Sequence, residues 1–279
     1  MTDAVGAEDR QPERATGRID LSGLADFSQT VLPPAAFLTG IIVLWAVLSD
    51  AGVIPAYLLP SPGAVANEFV NNQAVLLRHA SATTFEALAG FVIGNVVAII
   101  AAAALSSSGV LRDAFYPYAL VSRGIPIVVF TPVVVVMLGR GMPPIIAIVS
   151  FSVYFPTFLN MIRGLKSPDA DYYEMLHTLS ATPLQRLRMI EFPASIPYLF
   201  AALKVSASSA FISALVTEWI GANTGLGYLV VVSSQYFKLP TLWAAIFTAA
   251  ALTLTLLGIV HVVEHLLSRY TATAPDVGA

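Results

Sequence analysis

Four hydroxyl side chains, Ser206, Ser209, Ser213 and Thr217, recur at three- and four-residue intervals and are followed at once by an acid, Glu218. On an α-helix that spacing places them on one face. Two uses are open: the hydroxyls line a polar pathway with Glu218 at its mouth, or they bond and pack against neighbouring helices while Glu218 caps a helix end. Further on, His261, Glu264 and His265 have the residue types of a partial metal set, although their place at the end of an apolar stretch also explains them as interfacial groups. Nothing accompanies them that would support covalent or hydrolytic catalysis. Gly-x-Ser-x-Gly and His-Glu-x-x-His are both absent, so neither a lipase-like nucleophile nor a zinc-protease ligand pair is expected. The phosphate-cradling Gly-x-x-x-x-Gly-Lys-Ser/Thr loop is missing as well, and there is no cysteine for a disulfide or a thiolate metal site. The chain is therefore expected to be no enzyme and to hold no metal or cofactor, with any ATP hydrolysed by a partner.

A polar island from Ser167 to Pro193 has two helix starts written into it. Ser167 can cap a helix whose first residue is Pro168, with Asp169 and Asp171 where the positive end of the helix dipole favours acid. Thr182-Pro183-Leu184-Gln185 repeats the device, with Thr182 as cap, Pro183 at the first helical position and Gln185 placed for a capping box. The second helix is expected to stop before Pro193. Two short helices joined at Ser180-Ala181, carrying Tyr172, Tyr173, Glu174, Met175, Leu176, Leu184 and Leu187, make a knob of mixed apolar and charged side chains. Its surface suits the cleft of a soluble partner, and an ordinary solvated loop is the plainer reading of the same residues.

The elements that must position these groups follow from composition. Of 279 residues, 57% are hydrophobic and 11% charged, with a mean hydropathy of +0.77, against roughly 25% charged in a soluble domain. Phe27 to Ser49, Ala87 to Leu111, Gly141 to Ile162 and Leu239 to Val263 contain no Asp, Glu, Lys or Arg, and each exceeds the roughly 20 residues that cross a bilayer core. Ala114 to Leu138 holds one interior charge, Arg123, and Ala194 to Glu218 holds Lys204, each near a proposed helix end where a long side chain can snorkel to the headgroups. About six spans are expected in an all-α polytopic membrane protein. A soluble bundle would show polar outer faces, and these stretches are apolar all round.

The first thirty residues are hydrophilic and lack the apolar core of a secretory signal, so the N-terminus is expected in the cytosol. Six spans then place nine basic residues, among them Arg112, Arg163, Lys166, Arg186 and Arg188, on cytosolic pieces and three, Arg78, Arg140 and Lys238, outside, which satisfies the positive-inside bias. The resulting organisation is a cytosolic tail over 1–30, one membrane domain over 31–268 that includes the island 167–193, and a cytosolic tail over 269–279. Leu59-Pro60-Ser61-Pro62 forces a turn in the outer connection before a surface helix at Gly63 to Leu77. Glu86 is expected near the outer start of the second span, at the surface. The formal net charge of -3 argues against nucleic-acid binding.

Glu174-Met175-Leu176, Ser180 and Ile190-Glu191-Phe192-Pro193 resemble the EAA loop of binding-protein-dependent ABC importer permeases. The family pattern runs Glu-Ala-Ala, three residues, Gly, nine residues, Ile, one residue, Leu-Pro. Spacing fits throughout; Glu174, Ile190 and Pro193 are identical, while Met175, Leu176, Ser180 and Phe192 depart from it. If the glycine serves a positive φ, Ser180 must adopt a strained conformation or the turn must be built differently. Leu59-Pro60-Ser61-Pro62, Arg123-Gly124-Ile125-Pro126, and Glu218-Trp219-Ile220-Gly221-Ala222 with Gly225-Leu226-Gly227-Tyr228 are similar to the nitrate, sulfonate and taurine branch, so the resemblance covers about Leu58 to Glu264. It implies a type I importer permease fold, a homodimer of permeases in the cell membrane, and cytosolic ATPase subunits docked on Tyr173, Glu174, Met175, Leu176, Ser180, Ile190 and Pro193. It also implies an extracytoplasmic binding protein that delivers a small polar or anionic solute, moved by alternating access. The rival, an autonomous secondary transporter or channel, would carry paired intramembrane charges and repeated halves, and neither is evident.

Overall fold

The computed structural model describes residues 22–52, 54–55, 58–106 and 127–271. Residues 1–21, Arg112, the Arg123 to Pro126 stretch and residues beyond 271 lie outside them. The described chain falls into two units, one ending at Ile54 and the other beginning at Pro55. The first holds α1 (Ser22–Asp50), whose start lies inside the segment expected as a tail, and which runs through Pro33 and Pro34.

In the second unit, α2 (Pro62–Asn71) starts where a helix over Gly63 to Leu77 is expected but ends at Asn71, and it is capped by Ser61, whose Oγ accepts the Ala64 N–H at 3.2 Å. It gives way to α3 (Gln73–Ser106). A 3₁₀ turn (Ile127–Phe130) leads into α4 (Thr131–Leu138) and then α5 (Met142–Leu165). The polar island supplies α6 (Ala170–Thr178), α7 (Pro183–Arg186) and a π-helical turn (Leu187–Glu191). Then come α8 (Phe192–Gly221), α9 (Leu226–Gln235) and α10 (Leu239–Thr271).

Five stretches among the described residues are long and apolar enough to cross a membrane: Leu32–Asp50, Gln73–Ser106, Met142–Leu165, Pro183–Gly221 and Leu239–Leu267. Of the span expected over Ala114 to Leu138, only Ile127 onward is described.

Helices α3, α5 and α8 form the core. Ala87, Val149, Val153, Ala207, Ala210 and Phe211 fill one layer, and Ala98, Ala102, Phe158, Met161 and Leu165 fill another. Small residues let the backbones meet, as expected where helices associate without a hydrophobic drive between them. A Cβ on Gly94 of α3 would stand 2.2 Å from the Ser150 carbonyl oxygen of α5. Outward-facing positions are apolar instead of charged: Val92, Ile93, Val96, Val97 and Ile100 on α3 and Leu254, Ile259 and Val262 on α10 are all exposed. Such a surface is tolerable in lipid and not in water.

Candidate functional site

The elbow between α5 and α8 is built from local hydrogen bonds. Ser167 is not the cap of its first helix: its Oγ donates to the Gly164 carbonyl at 2.8 Å and so closes the end of α5. With that hydroxyl occupied, Pro168 falls in the connection, Asp169 takes the cap position with extended backbone, and α6 starts at Ala170. At the other end of α6 the Ser180 N–H donates to the His177 carbonyl and the Ala181 N–H to the Leu176 carbonyl, both at 3.0 Å. These are the paired bonds of a Schellman ending. Ser180 accordingly has φ +53°, the left-handed conformation in which glycine is favoured. The serine adopts the strained turn instead of replacing it.

The second helix start is the expected one. Thr182 Oγ1 accepts the Gln185 N–H at 3.3 Å, Gln185 Oε1 accepts the Thr182 N–H at 2.8 Å, and Pro183 follows the cap. The helix does not stop before Pro193, however. The π turn bonds the Phe192 N–H to the Leu187 carbonyl, five residues back, and the chain continues into α8. The wider turn takes the preceding carbonyls out of the i−4 register in which the proline ring collides. α7, the π turn and the long span α8 are therefore one continuous helical rod, Pro183–Gly221.

Within the elbow Leu176 is buried as an anchor, Tyr173 and Ile190 are half-buried, and Glu174, Met175, Ser180 and Pro193 are exposed. Tyr172, Met175, Leu179, Leu184 and Met189 present apolar surface, with Leu179 68% and Met189 66% exposed. Exposed apolar side chains thus stand among the charged residues of a polar segment. Behind it stands a residue that sequence reasoning passed over. Glu191 is 4% exposed; its Oε1 lies 2.9 Å from Arg186 Nε and its Oε2 accepts from Ser106 Oγ at 3.0 Å. Arg186 thus has its acidic partner inside the chain, and its guanidinium also lies over the Tyr173 ring, 5.7 Å from the centroid. Burial, reinforced by Glu191 and opposed by Arg186, pushes the Tyr173 phenol above its ordinary range. Its hydroxyl donates to the Leu165 carbonyl at 3.4 Å. The only hint of Glu191 in the sequence is a lone acid before Pro193 at the unconstrained position of the motif.

Along α8, from about 20 to about 36 Å beyond Pro193, the hydroxyl row divides. Ser206, Ser213 and Thr217 are buried. Ser206 Oγ meets Thr157 Oγ1 at 3.1 Å, and that hydroxyl donates to Asn95 Oδ1. Ser213 donates to Ser152 Oγ at 2.7 Å, and Thr217 to the Ser213 carbonyl at 2.6 Å. Ser209 stands apart, half-buried, with its hydroxyl returned to the Val205 carbonyl at 3.0 Å. Asn95 and Thr157, which tie α3 to α5 inside this seam, carried no sequence signal because each sits alone in an apolar run.

Glu218 is fully buried and holds the break between α8 and α9. It accepts from Thr83 Oγ1 and from the Gly227 N–H, each at 2.6 Å, and from the Tyr228 N–H. Thr83 Oγ1 in turn accepts the Leu226 N–H at 2.7 Å, and His79 Nδ1 the Gly225 N–H at 3.0 Å. Gly225 has φ +116°, and a Cβ on Gly227 would stand 2.1 Å from the Leu215 carbonyl oxygen, so neither position admits a side chain. Glu86 is not at the surface as expected: it is 1% exposed and its carboxyl meets that of Glu218. The apolar run begins at Ala87 but α3 begins at Gln73, which puts Glu86 well inside the helix on the face that carries Thr83, Gly90 and Gly94. Near the end of α10, Glu264 Oε2 pairs with Lys204 Nζ at 2.5 Å and lies 3.6 Å from His261 Nδ1. No group of three metal-ligating side chains occurs among the described residues.

Residues 94–269 match a family described as the binding-protein-dependent transport system inner membrane component. A riboflavin transport system permease protein from Chloroflexus aurantiacus is 30% identical over 86% of this chain and 92% of its own length. A formylaminopyrimidine transport permease protein from Halalkalibacterium halodurans is 29% identical over 83% of this chain and 91% of its own. A putative aliphatic sulfonates transport permease protein from Bacillus subtilis is 23% identical over 75% of this chain and 77% of its own.

Proposed function

Because the chain belongs to the inner membrane components of binding-protein-dependent transport systems, the permeases of ABC importers, we propose that it carries a small polar or anionic solute inward by alternating access. It is a transport subunit and not an enzyme, as its family is. The solute is nitrate, a sulfonate, taurine or a related organic compound, a range that takes in the substrates named for its relatives: riboflavin, a formylaminopyrimidine and aliphatic sulfonates. Two copies pair in the cell membrane with their termini in the cytosol. An extracytoplasmic binding protein delivers solute, and two ATPase subunits bind at the elbows.

The observation that carries this reading is the elbow: an exposed apolar patch, with Glu174 beside it, at the end of a helical rod that runs on into α8. Glu191 braces the rod to α3 through Ser106, so a push on the patch is delivered to two core helices at once. The buried α8 hydroxyls Ser206 and Ser213 tie α8 to α5, and through Thr157 and Asn95 to α3, while Thr217 bonds within α8 and Glu218 fixes the outer loop. Ser209, left half-exposed in the single chain, is the member of the row that faces a pathway or the second copy.

Purification of the tagged chain from its own cells should bring down an ATPase subunit. Proteoliposomes of that complex, supplied with the binding protein, should take up one member of a panel of riboflavin, a pyrimidine, taurine, an aliphatic sulfonate and nitrate, only with ATP inside. Uptake by the isolated chain driven by an ion gradient without nucleotide would refute the reading.

A further inference from the structure

A cleft of about 310 Å³ lies between α2, the start of α3, α9 and the start of α10. Its apolar floor is made by Val75, Leu229 and Val232, and two unlike charges, Glu68 and Lys238, line it. Neither has an ion-pair partner within 4.0 Å among the described residues, so they are not spent on each other. Glu68 is held in place by neutral donors instead: Oε1 accepts from Asn72 Nδ2 at 2.8 Å and from Thr241 Oγ1 at 2.6 Å. Lys238 is fixed by its backbone, its N–H donating to the Ser233 carbonyl at 2.8 Å across a turn in which Phe237 takes φ +54°. An acid and a base that share one cleft without touching leave room for a molecule that carries both charges.

The surroundings indicate where that molecule comes from. Lys238 is the last residue before α10, whose long apolar run starts at the next position. The rings of Tyr236 and Phe237 beside it are 71% and 73% exposed. Exposed aromatic rings next to a lysine at the end of an apolar span are the side chains that lie at headgroup level in a bilayer. The floor of Val75, Leu229 and Val232 suits the apolar part of a lipid below its headgroup.

We propose that this cleft binds the headgroup of a zwitterionic phospholipid with a primary ammonium, Lys238 taking the phosphate and Glu68 the ammonium. A primary ammonium donates hydrogen bonds to the carboxylate, which a quaternary one cannot. The site rests on the membrane reading of the chain and on no step of transport. The lipid locks α2 and the α9–α10 turn together at the membrane boundary.

The test is native mass spectrometry of the full-length chain in mild detergent with equimolar dioleoyl phosphatidylethanolamine, phosphatidylcholine and phosphatidylglycerol. Retention of the ethanolamine lipid should exceed that of the glycerol lipid by about fivefold, the effect of one partly exposed ion pair. Glu68→Gln should bring the two to parity without changing glycerol-lipid retention, and Lys238→Gln should lower both. Equal retention of the three lipids by the unaltered chain, which requires no variant to fold, would overturn the proposal, as would a preference untouched by both substitutions. Saturable binding of free taurine to the delipidated chain, lost in Glu68→Gln, would give the cleft to a soluble zwitterion and overturn it equally. Parity of the lipids with ATP-dependent uptake intact removes this site and leaves the transport reading in place.

Discussion

Glu174→Arg should abolish solute-driven ATP hydrolysis and uptake while the chain still inserts into the membrane. Glu174 is exposed on α6 and has no packed side-chain contact to lose, so reversal should change stability by no more than about 0.5 kcal/mol. In the proposed docking it sits on the same short helix as Tyr172 and Met175, beside the apolar patch. A charge of the wrong sign, desolvated in an interface, costs several kcal/mol, which is a loss of about a hundredfold or more in binding of the ATPase. Deletion of Tyr172 to Leu176 should have the same effect by another route, since it removes the buried anchor Leu176 together with the patch. Both variants should appear in the membrane fraction at wild-type levels, because the apolar spans lie elsewhere. Wild-type uptake by Glu174→Arg would remove the elbow from the coupling path.

Glu218→Ala is the second large effect, and it separates two roles for the same residue. As a cap, Glu218 supplies the acceptor for the Thr83 hydroxyl and for the Gly227 and Tyr228 N–H groups in a fully buried site. Its truncation leaves those donors unmatched at about 1–3 kcal/mol each, a destabilisation of at least about 3 kcal/mol that shows as a fall of several degrees in the thermal midpoint of the purified chain. Glu218→Gln keeps one carbonyl oxygen and should lose about half as much. If Glu218 instead lined the pathway, Glu218→Ala would lower uptake while leaving the midpoint unchanged.

Much of this architecture is legible in the chain because the signals are local. Uninterrupted apolar runs mark the spans, and Thr182, Pro183 and Gln185 write a capping box that depends on nothing distant. Ser180 shows how far such reading goes: its spacing from Glu174 poses the question of a positive φ, and only the bonds to His177 and Leu176 answer it. The departures arise where a neighbour competes for the same group. Ser167 is taken by the end of α5, Pro193 is absorbed by a π turn that no residue type announces, and Glu86 is drawn inside because α3 starts well before its apolar run. Glu191 was invisible because its importance lies in Arg186 and Ser106, the latter 85 residues away in sequence. Asn95, Thr157 and Ser206 meet only once three helices are packed.

The central claim is that the elbow faces the cytosol and meets a separate motor, and the chain's lack of cysteine makes it directly testable. A single Met175→Cys substitution places one thiol in the exposed patch. A membrane-impermeant maleimide should label it in inverted vesicles and not in right-side-out ones, and a bifunctional reagent should join it to the ATPase subunit. Labelling from the exterior face, or the absence of any cross-link to an ATPase in a complex that still imports, would contradict the account.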